Sequence, residues 1–390
     1  MRSSLGTYLT PASGSVFPYN VFILSMYFKI GIGFGLLAAL STGIQLVFLG
    51  SIIPLFLFLL VEIFIFKKII TTNFSVKKFL IDLIKCFLLF YIVLILFWID
   101  THPNIFILPY KFITETFSSV YLTGWPTVLL NEKYYLSIDV PAFYLILNII
   151  FKTPEYLLIL YIIFIILLFS SKKFFNEEFQ YFNYKLSLLL LILIFPNTLL
   201  IFAPYPVYDG IRLFLWILPY LCIIPGITIY YLLENSKLLK VRVALLSLLI
   251  FIIFFLYNFF SITPYHYTYL NVLGGKNEYR YKKFENDYWA SSIKELIKYT
   301  NFKKDKNFLF AACGVNPDII KYYLKKNGYY KFKFVNPEKS DYIIMTNRTV
   351  LINIKDKPIE ITNCFNMFKG KDFSKVERSN LSLSVVRDIN

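Results

Sequence analysis

Long uninterrupted apolar runs dominate the chain before residue 260 and alternate with short basic segments. Each run approaches the roughly 20 residues that an α-helix needs to cross the hydrocarbon core of a bilayer. We therefore predict a membrane-spanning helix at each run, and one or two more within Tyr19–Leu49, which gives about 6–8 transmembrane helices. The clear runs are Ile52–Phe66, Phe79–Trp98, Tyr156–Phe169, Leu186–Phe202, Leu213–Leu233 and Val243–Phe260.

Basic residues between the spans predict the orientation of the chain. They are concentrated in three connecting loops: 67–78, 170–185 and 234–242. Loops rich in Lys and Arg stay in the cytoplasm. The long loop 99–155, the segment 203–212 and everything after residue 260 then lie on the opposite face. We expect a bacterial inner-membrane protein whose C-terminal domain is periplasmic.

The outer loop 99–155 is too long to be a plain connection and is rich in aromatic residues and proline. Tyrosine and tryptophan favour the membrane interface, so we expect short helices lying there. Tyr134, Tyr135 and Asp139 are the outer-loop candidates for contact with a substrate.

Residues 261–390 show a different pattern, in which short strands alternate with amphipathic helices. This order predicts a small α/β domain, so that the chain divides into a helical membrane domain, 1–260, and a soluble domain, 261–390. A helix is expected at Asp287–Thr300, capped by Asp287 and with Trp289 on its core side. The other predicted elements are a helix at Pro317–Lys326 and strands at Phe308–Ala312, Tyr330–Val335, Tyr342–Met345 and Leu381–Arg387.

The composition supports a membrane protein and argues against nucleic acid as a partner. Hydrophobic residues make up 57% of the chain and charged residues only 16%, compared with about 25% charged residues in soluble domains. The net charge of +16 fits lysines that set topology and a basic C-terminal part that could face anionic lipid or a phosphate-bearing substrate. A base-composition bias in the gene, suggested by the abundance of Lys, Ile, Phe, Asn and Tyr, is an alternative explanation.

Histidine and cysteine are too sparse for a protein-built zinc site. The chain has 2 His and 4 Cys, with no CxxC or HExxH pattern. We predict no cofactor, and the sequence does not say whether a divalent metal is needed. Cys313 and Cys364 can pair if their domain is extracytoplasmic.

A charged segment, Tyr208-Asp209-Gly210-Ile211-Arg212, separates two apolar runs. Charges at a membrane boundary are costly, and they often mark function. Arg212 offers a planar set of donors suited to phosphate, and Asp209 can orient it. Alternatively, the pair anchors a helix end. A weaker candidate is the loop at Asn347 and Arg348.

Four segments resemble one family, in this order. The first is Val140-Pro141-Ala142-Phe143-Tyr144 followed by Lys152-Thr153-Pro154, and the second is Tyr208-Asp209-Gly210-Ile211-Arg212 ahead of Leu218-Pro219. The third is Pro264-Tyr265 with Tyr269-Leu270-Asn271 and Gly274-Gly275, and the fourth is Asp287-Tyr288-Trp289. They resemble the motifs LPWYY…TP, YDGxRH…P, HPYxxxYFNxxxGG and DYWG. These motifs belong to the integral-membrane glycosyltransferases of the GT-C class, in the protein O-mannosyltransferase-like family 39. The resemblance covers about residues 100–300.

The resemblance implies transfer of a sugar from a polyprenyl-phosphate donor to an acceptor, still unknown, on the extracytoplasmic face. The residues that it implies for binding the lipid phosphate and sugar are Tyr208, Asp209, Arg212, Tyr265, Tyr269 and Asn271.

The chain also departs from the family. Ala142, Leu213 and Ala290 replace the family's Trp, His and Gly. The family's catalytic acid lies in the first extracytoplasmic loop, yet no acidic residue precedes Glu62 here. We therefore expect that the catalytic acid is absent from this chain. A separate N-terminal segment could supply it, and without such a segment the chain would be catalytically incomplete.

Three functional hypotheses stay open on the sequence. The first is a membrane glycosyltransferase, or the C-terminal part of one. The second is a catalytically incomplete remnant or split subunit that binds lipid phosphate without catalysis. The third is a transporter or flippase, for which inverted repeats and charges within the spans are typical.

Overall fold

The computed structural model describes residues 33, 35–43, 49–66, 75–98, 102–114, 125–202, 205–287, 289–303, 305–352 and 360–389. The chain forms two compact units, Met1–Thr116 and Phe117–Asn390. The predicted domain boundary at residue 260 stays a prediction. Of the region Tyr19–Leu49, only the helical segment 35–43 and two flanking residues lie within the described part.

The first unit is helical. Its core joins the segment 35–43 to the helix Val76–Phe97 through buried Ala38, Ala39, Phe90 and Leu94. Small residues allow this close approach between helices. The helices are α1 (Leu49–Val61), which continues as a π-helix at Glu62–Phe66, α2 (Val76–Phe97) and α3 (Leu108–Thr114).

Six further helices begin the second unit: α4 (Tyr144–Lys152), α5 (Glu155–Ser170), α6 (Lys172–Glu178), α7 (Phe182–Phe202), α8 (Leu218–Glu234) and α9 (Leu239–Ser261). A 3₁₀ turn, Arg212–Ile217, leads directly into α8. Between α4 and α5 the chain bends by 111° at Thr153-Pro154, because the residue before a proline disfavours helical backbone.

Within the described residues, four helices are long and apolar enough to cross a membrane: Val76–Phe97, Phe182–Phe202, Arg212–Glu234 and Leu239–Ser261. The bent pair α4–α5 makes a fifth if it is one span. Only 6% of the most apolar stretch of α9 is buried inside the protein, so its side chains need an apolar surrounding. These helices indicate a membrane protein.

Among the described residues the four or five candidate spans are fewer than the predicted 6–8, and the run Ile52–Phe66 forms only a shorter apolar helix. The helices α2, α7 and α9 begin about one turn before their apolar runs. The added turns contain Lys77, Lys185 and Lys240, respectively. A helix can keep its backbone hydrogen bonds through a polar first turn, since lysine side chains extend into the headgroup region. The apolar pattern alone therefore marks the hydrocarbon-spanning part and omits the polar turn.

A mixed sheet organises the rest of the second unit. Its strands are β3 (Phe308–Cys313), β4 (Phe332–Phe334), β5 (Tyr342–Thr346), β8 (Lys371–Arg378) and β9 (Leu381–Asp388). Their order in the sheet is β4-β3-β5-β9-β8, with β3 parallel to β4 and β5, and with β9 antiparallel to β5 and β8. The helices of this region are α10 (Asn277–Lys283), α11 (Ile293–Tyr299), α12 (Pro317–Lys326) and α13 (Cys364–Met367).

Two hairpins bring the outer loop to the sheet region. They are β1 (Thr127–Leu130) with β2 (Lys133–Leu136), and β6 (Thr349–Ile352) with β7 (Glu360–Asn363). The side-chain hydroxyls of Thr127 in β1 and Thr349 in β6 are hydrogen-bonded at 2.7 Å. The first hairpin therefore packs on the second and joins residues 127–136 to the C-terminal part of the second unit.

Candidate functional site

Two consecutive left-handed residues shape the chain between α7 and α8. Asp209 has φ of 57° and Gly210 has φ of 66°. Aspartate tolerates this conformation better than most residues, and glycine adopts it freely. The backbone then turns into the 3₁₀ segment that begins at Arg212. The turn places Asp209 and Arg212 next to each other at the start of an apolar helix.

The Asp209 carboxylate is buried between two arginines. Arg348 donates from Nη1 to Oδ1 at 2.7 Å, and Arg212 donates from Nη1 to Oδ2 at 3.2 Å. The side chains of Asp209 and Arg348 are each 4% exposed, whereas that of Arg212 is 41% exposed. Asp209 therefore joins a buried arginine to one that solvent or a ligand can reach.

Arg212 is held on two sides. Its guanidinium lies 4.3 Å from the ring centre of Trp289, which adds a cation–π contact to the ion pair with Asp209. Trp289 is 60% exposed. The prediction that Trp289 faces the core of a helix was wrong. The helix begins only at Ile293, so Trp289 lies in the preceding turn and stacks on the arginine.

Arg348 follows the central strand β5, whose carboxyl end lies beside that of the parallel strand β3. Its guanidinium lies 4.1 Å from the ring centre of Trp125, and Trp125 Nε1 donates to the carbonyl of Thr349 at 2.8 Å. Gly314, at the end of β3, has no side chain and so leaves space for the loop after β5 that carries Arg348. A Cβ added at Gly314 would lie 2.7 Å from the Arg348 Cβ.

A second buried carboxylate, Glu285, lies beside the same arginine, with its Oε1 4.0 Å from Arg348 Nε. It accepts hydrogen bonds from the backbone nitrogen and the hydroxyl of Thr349, both at 2.8 Å. Burial raises the pKa of Glu285 above its ordinary value and outweighs the opposing effects of Arg348 and Thr349. Asp209, Arg348 and Glu285 thus form a buried charge network whose exposed arm is Arg212.

Tyr269 and Asn271 are bound to the bend between α4 and α5. The Tyr269 hydroxyl donates to the buried Glu155 carboxylate at 2.8 Å. The Asn271 side-chain amide donates to the carbonyls of Ile150 and Thr153 at 2.5 and 2.8 Å. These bonds satisfy carbonyls that a helix end leaves without partners. The segment therefore anchors the bend.

Tyr265 belongs to a separate cluster. Its hydroxyl donates to Glu295 Oε2 at 2.8 Å, and Arg378 donates to both oxygens of Glu295 at 2.8 and 2.6 Å. Burial acts to raise the pKa of Glu295, but the hydrogen bonds from Arg378 and Tyr265 outweigh it and hold that pKa below its ordinary value.

The remaining predicted site residues lie on or near the first hairpin and the charged turn. Tyr208 and Tyr135 are partly buried against the apolar cluster that contains Tyr144 and Phe214. Tyr134 and Asp139 are exposed. The roles predicted for these residues in substrate binding stay predictions.

The sequence pointed to Asp209 and Arg212 but gave no signal for Trp125 or Glu285 as their neighbours. Arg348 was only a weak loop candidate. In the described parts of the chain, no group of three or more His, Cys, Asp or Glu residues could hold a metal ion.

The pairing left open for the two C-terminal cysteines is formed. Cys313 and Cys364 make a disulfide. It links the end of β3 to the start of α13, next to the loop that carries Arg348, since the Cys364 nitrogen donates to the Arg348 carbonyl at 2.9 Å. The disulfide therefore fixes the segment behind the buried charge network.

No protein-family model, curated protein or solved structure matches this chain. Inferences about its function therefore rest on its own residues and contacts.

Proposed function

We propose that this protein is a polytopic membrane glycosyltransferase, or the lipid-phosphate-binding part of one. It uses a polyprenyl-phosphate-linked sugar as donor and acts on the extracytoplasmic face, in the periplasm of a bacterium. The observation that carries this proposal is the arrangement of Arg212. An exposed guanidinium at the first turn of an apolar helix is held by a buried carboxylate and a tryptophan ring.

A guanidinium fixed in this way suits a phosphate at the membrane surface. Arginine donates two parallel hydrogen bonds to phosphate oxygens. The pair with Asp209 and the stacking on Trp289 restrict the side chain before a ligand arrives, which lowers the entropy lost on binding. The helix that follows, Arg212–Glu234, is one of the candidate spans. A lipid carrying the phosphate would extend along it.

The disulfide supports the proposed location. Disulfides persist in oxidising compartments such as the periplasm and are rare in the bacterial cytosol. Cys313–Cys364 lies in the region that follows α9, which is the region that the basic loops assign to the outer face. Two independent features therefore agree on the orientation.

In the proposed reaction, an acceptor hydroxyl attacks the anomeric carbon of the sugar, and the lipid phosphate leaves with the electrons of the broken bond. Arg212 stabilises the negative charge that develops on the phosphate. Asp209 is a positioning residue, since it holds Arg212 and is itself buried.

One observation favours the alternative of binding without catalysis. Asp209 and Glu285, the two carboxylates of the network, are both buried and both accept hydrogen bonds from neighbouring side chains. Neither is placed to deprotonate an acceptor, so the network supplies binding and leaves the catalytic base unassigned.

The test uses the full chain in lipid nanodiscs with a radiolabelled polyprenyl monophosphate hexose. Radioactivity that remains bound to the protein reports donor binding. A membrane extract is added as a source of acceptors, and radioactivity that becomes attached to its components reports sugar transfer. Binding with transfer supports the enzyme, and binding without transfer supports the alternative. Absence of binding would contradict both.

A further inference from the structure

A second cationic site, whose lining does not include Arg212, is an open cleft of about 470 Å³ next to the end of α9. Its volume falls within the range of about 300–1,000 Å³ that is usual for small-molecule sites. Three cations, Lys294, Lys298 and Arg378, and one carboxylate, Glu295, line it together with tyrosine side chains. The lining therefore carries an excess of positive charge.

The charges in this cleft have unequal roles. Arg378 forms an ion pair with Glu295, in which it donates to both carboxylate oxygens. It also donates from Nε to the Thr263 carbonyl at 2.8 Å. These contacts make Arg378 a fixed part of the wall. The negative charge of Glu295 is neutralised there, so the excess charge resides on the two lysines.

Lys294 and Lys298 are four residues apart on α11 and therefore lie on the same face of that helix. Both are exposed. Within the described residues neither forms an ion pair with a carboxylate. Lys298 Nζ lies 5.1 Å from the ring centre of Tyr299, and a cation–π contact at an exposed site is weak, so both ammonium groups are available to an anion that enters the cleft.

The position of the cleft indicates the class of anion. Pro264 lines the cleft and follows the last residue of the candidate span Leu239–Ser261 by three positions. A helix end of this kind lies at the headgroup level of a bilayer, where phosphate esters are concentrated. Lysine binds phosphate as a compact point charge.

We propose that this cleft binds a phosphate ester through Lys294 and Lys298, independently of Arg212. The phosphate is carried either by an anionic phospholipid headgroup or by a soluble molecule, and the chemistry of recognition is the same in both cases. This second site does not depend on the proposed glycosyltransferase activity.

The test compares two variants of the full chain purified in detergent. One is Lys294→Gln with Lys298→Gln. The matched control is Lys325→Gln with Lys326→Gln, two exposed lysines on α12 that do not line the cleft. The two variants lose the same formal charge. Binding is measured for dioleoylphosphatidylglycerol, for dioleoylphosphatidylcholine and for soluble glycerol phosphate.

We expect the cleft variant to lower the affinity for phosphatidylglycerol roughly thirty-fold, on the basis of about 1 kcal/mol for each lysine near an anionic surface. The control pair should change it less than about three-fold, as expected for charges outside the site. A selective loss confined to phosphatidylglycerol assigns the phosphate to the lipid, and a selective loss with glycerol phosphate assigns it to a soluble ligand. Equal effects of the two variants on every probe would overturn the proposal.

Discussion

The Asp209 carboxylate and the Arg348 guanidinium form a buried ion pair at 2.7 Å across 139 residues of sequence. Asp209 lies in the turn before α8, and Arg348 lies at the carboxyl end of β5. The pair therefore connects the helical part of the second unit to its sheet. Because Arg212 binds the other oxygen of the same carboxylate, its orientation depends on a residue of the sheet region.

Removing Arg348 should destabilise the protein strongly. The Arg348→Ala variant leaves Asp209 buried without its nearest partner, and we expect a loss of about 3–5 kcal/mol in the free energy of unfolding. Unfolding in mixed micelles with a denaturing detergent measures this. The control is Lys321→Ala, which removes an exposed pair with Asp318 and should cost less than about 1 kcal/mol. Equal effects of the two variants would contradict a buried, energetically important pair.

Alanine at Gly314 should disturb the Arg348 loop. Gly314 has φ of 73°, and an added Cβ would lie 2.7 Å from Arg348 Cβ. Gly275 has a similar φ of 76°, but a Cβ added there would lie 4.0 Å from its nearest neighbour, Lys283 Nζ. Both variants adopt a left-handed backbone that costs an alanine about 1–2 kcal/mol. Only Gly314→Ala adds a clash, so it should be less stable by a further 1–3 kcal/mol or so.

The apolar pattern located the four long helices of the described residues because a membrane span has a strong and simple signal in the sequence, but it overestimated the number of helices long enough to span there. The exposed stretch of α9 is an example, since almost any apolar side chain satisfies a lipid-facing position. The small sheet was predicted less completely. The strand Lys371–Arg378 was missed because it lies at the edge of the sheet and is largely polar.

The charged site was only half predictable. Asp209 and Arg212 are neighbours in sequence, and their position between apolar runs marks them. Glu285 and Trp125 come close to Arg348 only through tertiary folding, and no spacing in the chain encodes that approach. Trp289 was assigned to a core because its spacing fits an amphipathic helix, whereas the left-handed Ala290 keeps it outside the helix.

The two glutamates with shifted pKa values should respond oppositely to pH. The pKa of Glu295 in the folded state lies below its ordinary value of 4.5, so its stabilising contribution is present above that value and is lost as the pH falls through the folded-state pKa. The pKa of Glu285 lies above 4.5, so its charged form is disfavoured in the folded state. Between 4.5 and its folded-state pKa, its contribution to stability declines as the pH rises.

Isosteric variants separate the two effects. Relative to the unsubstituted chain, Glu295→Gln should be less stable near neutral pH, and this difference should shrink in acid. For Glu285→Gln, the stability relative to the unsubstituted chain should improve as the pH rises. Thermal unfolding of both variants and of the unsubstituted chain, from about pH 3.5 to about pH 8, measures both differences in stability. Parallel curves for the two variants would contradict the assigned shifts.

Reduction of the disulfide should loosen the segment behind the charge network. The disulfide closes a segment with a sequence separation of 51, for which loop-closure entropy predicts about 4 kcal/mol of stabilisation. We expect the Cys313→Ser, Cys364→Ser variant to unfold at lower denaturant concentration. The control replaces Cys86 and Cys222, the two cysteines outside this disulfide, and should respond to dithiothreitol as the unsubstituted chain does. If the first variant matches this control under oxidising conditions, the disulfide has no stabilising role.

The most direct test of the proposed lipid-phosphate site is the affinity of the full chain in nanodiscs for a polyprenyl monophosphate hexose. Three variants are compared: Arg212→Ala, Arg212→Lys and, as the control, Arg242→Ala in the first turn of α9. A charge-assisted hydrogen bond is worth about 1.5–3 kcal/mol, so Arg212→Ala should weaken binding roughly ten- to a hundred-fold. Arg212→Lys should fall between Arg212→Ala and the unsubstituted chain, since lysine keeps the charge but loses the paired donors. Arg242→Ala should bind as the unsubstituted chain does. An Arg212→Ala variant that binds as tightly as the Arg242→Ala control would contradict the proposed site.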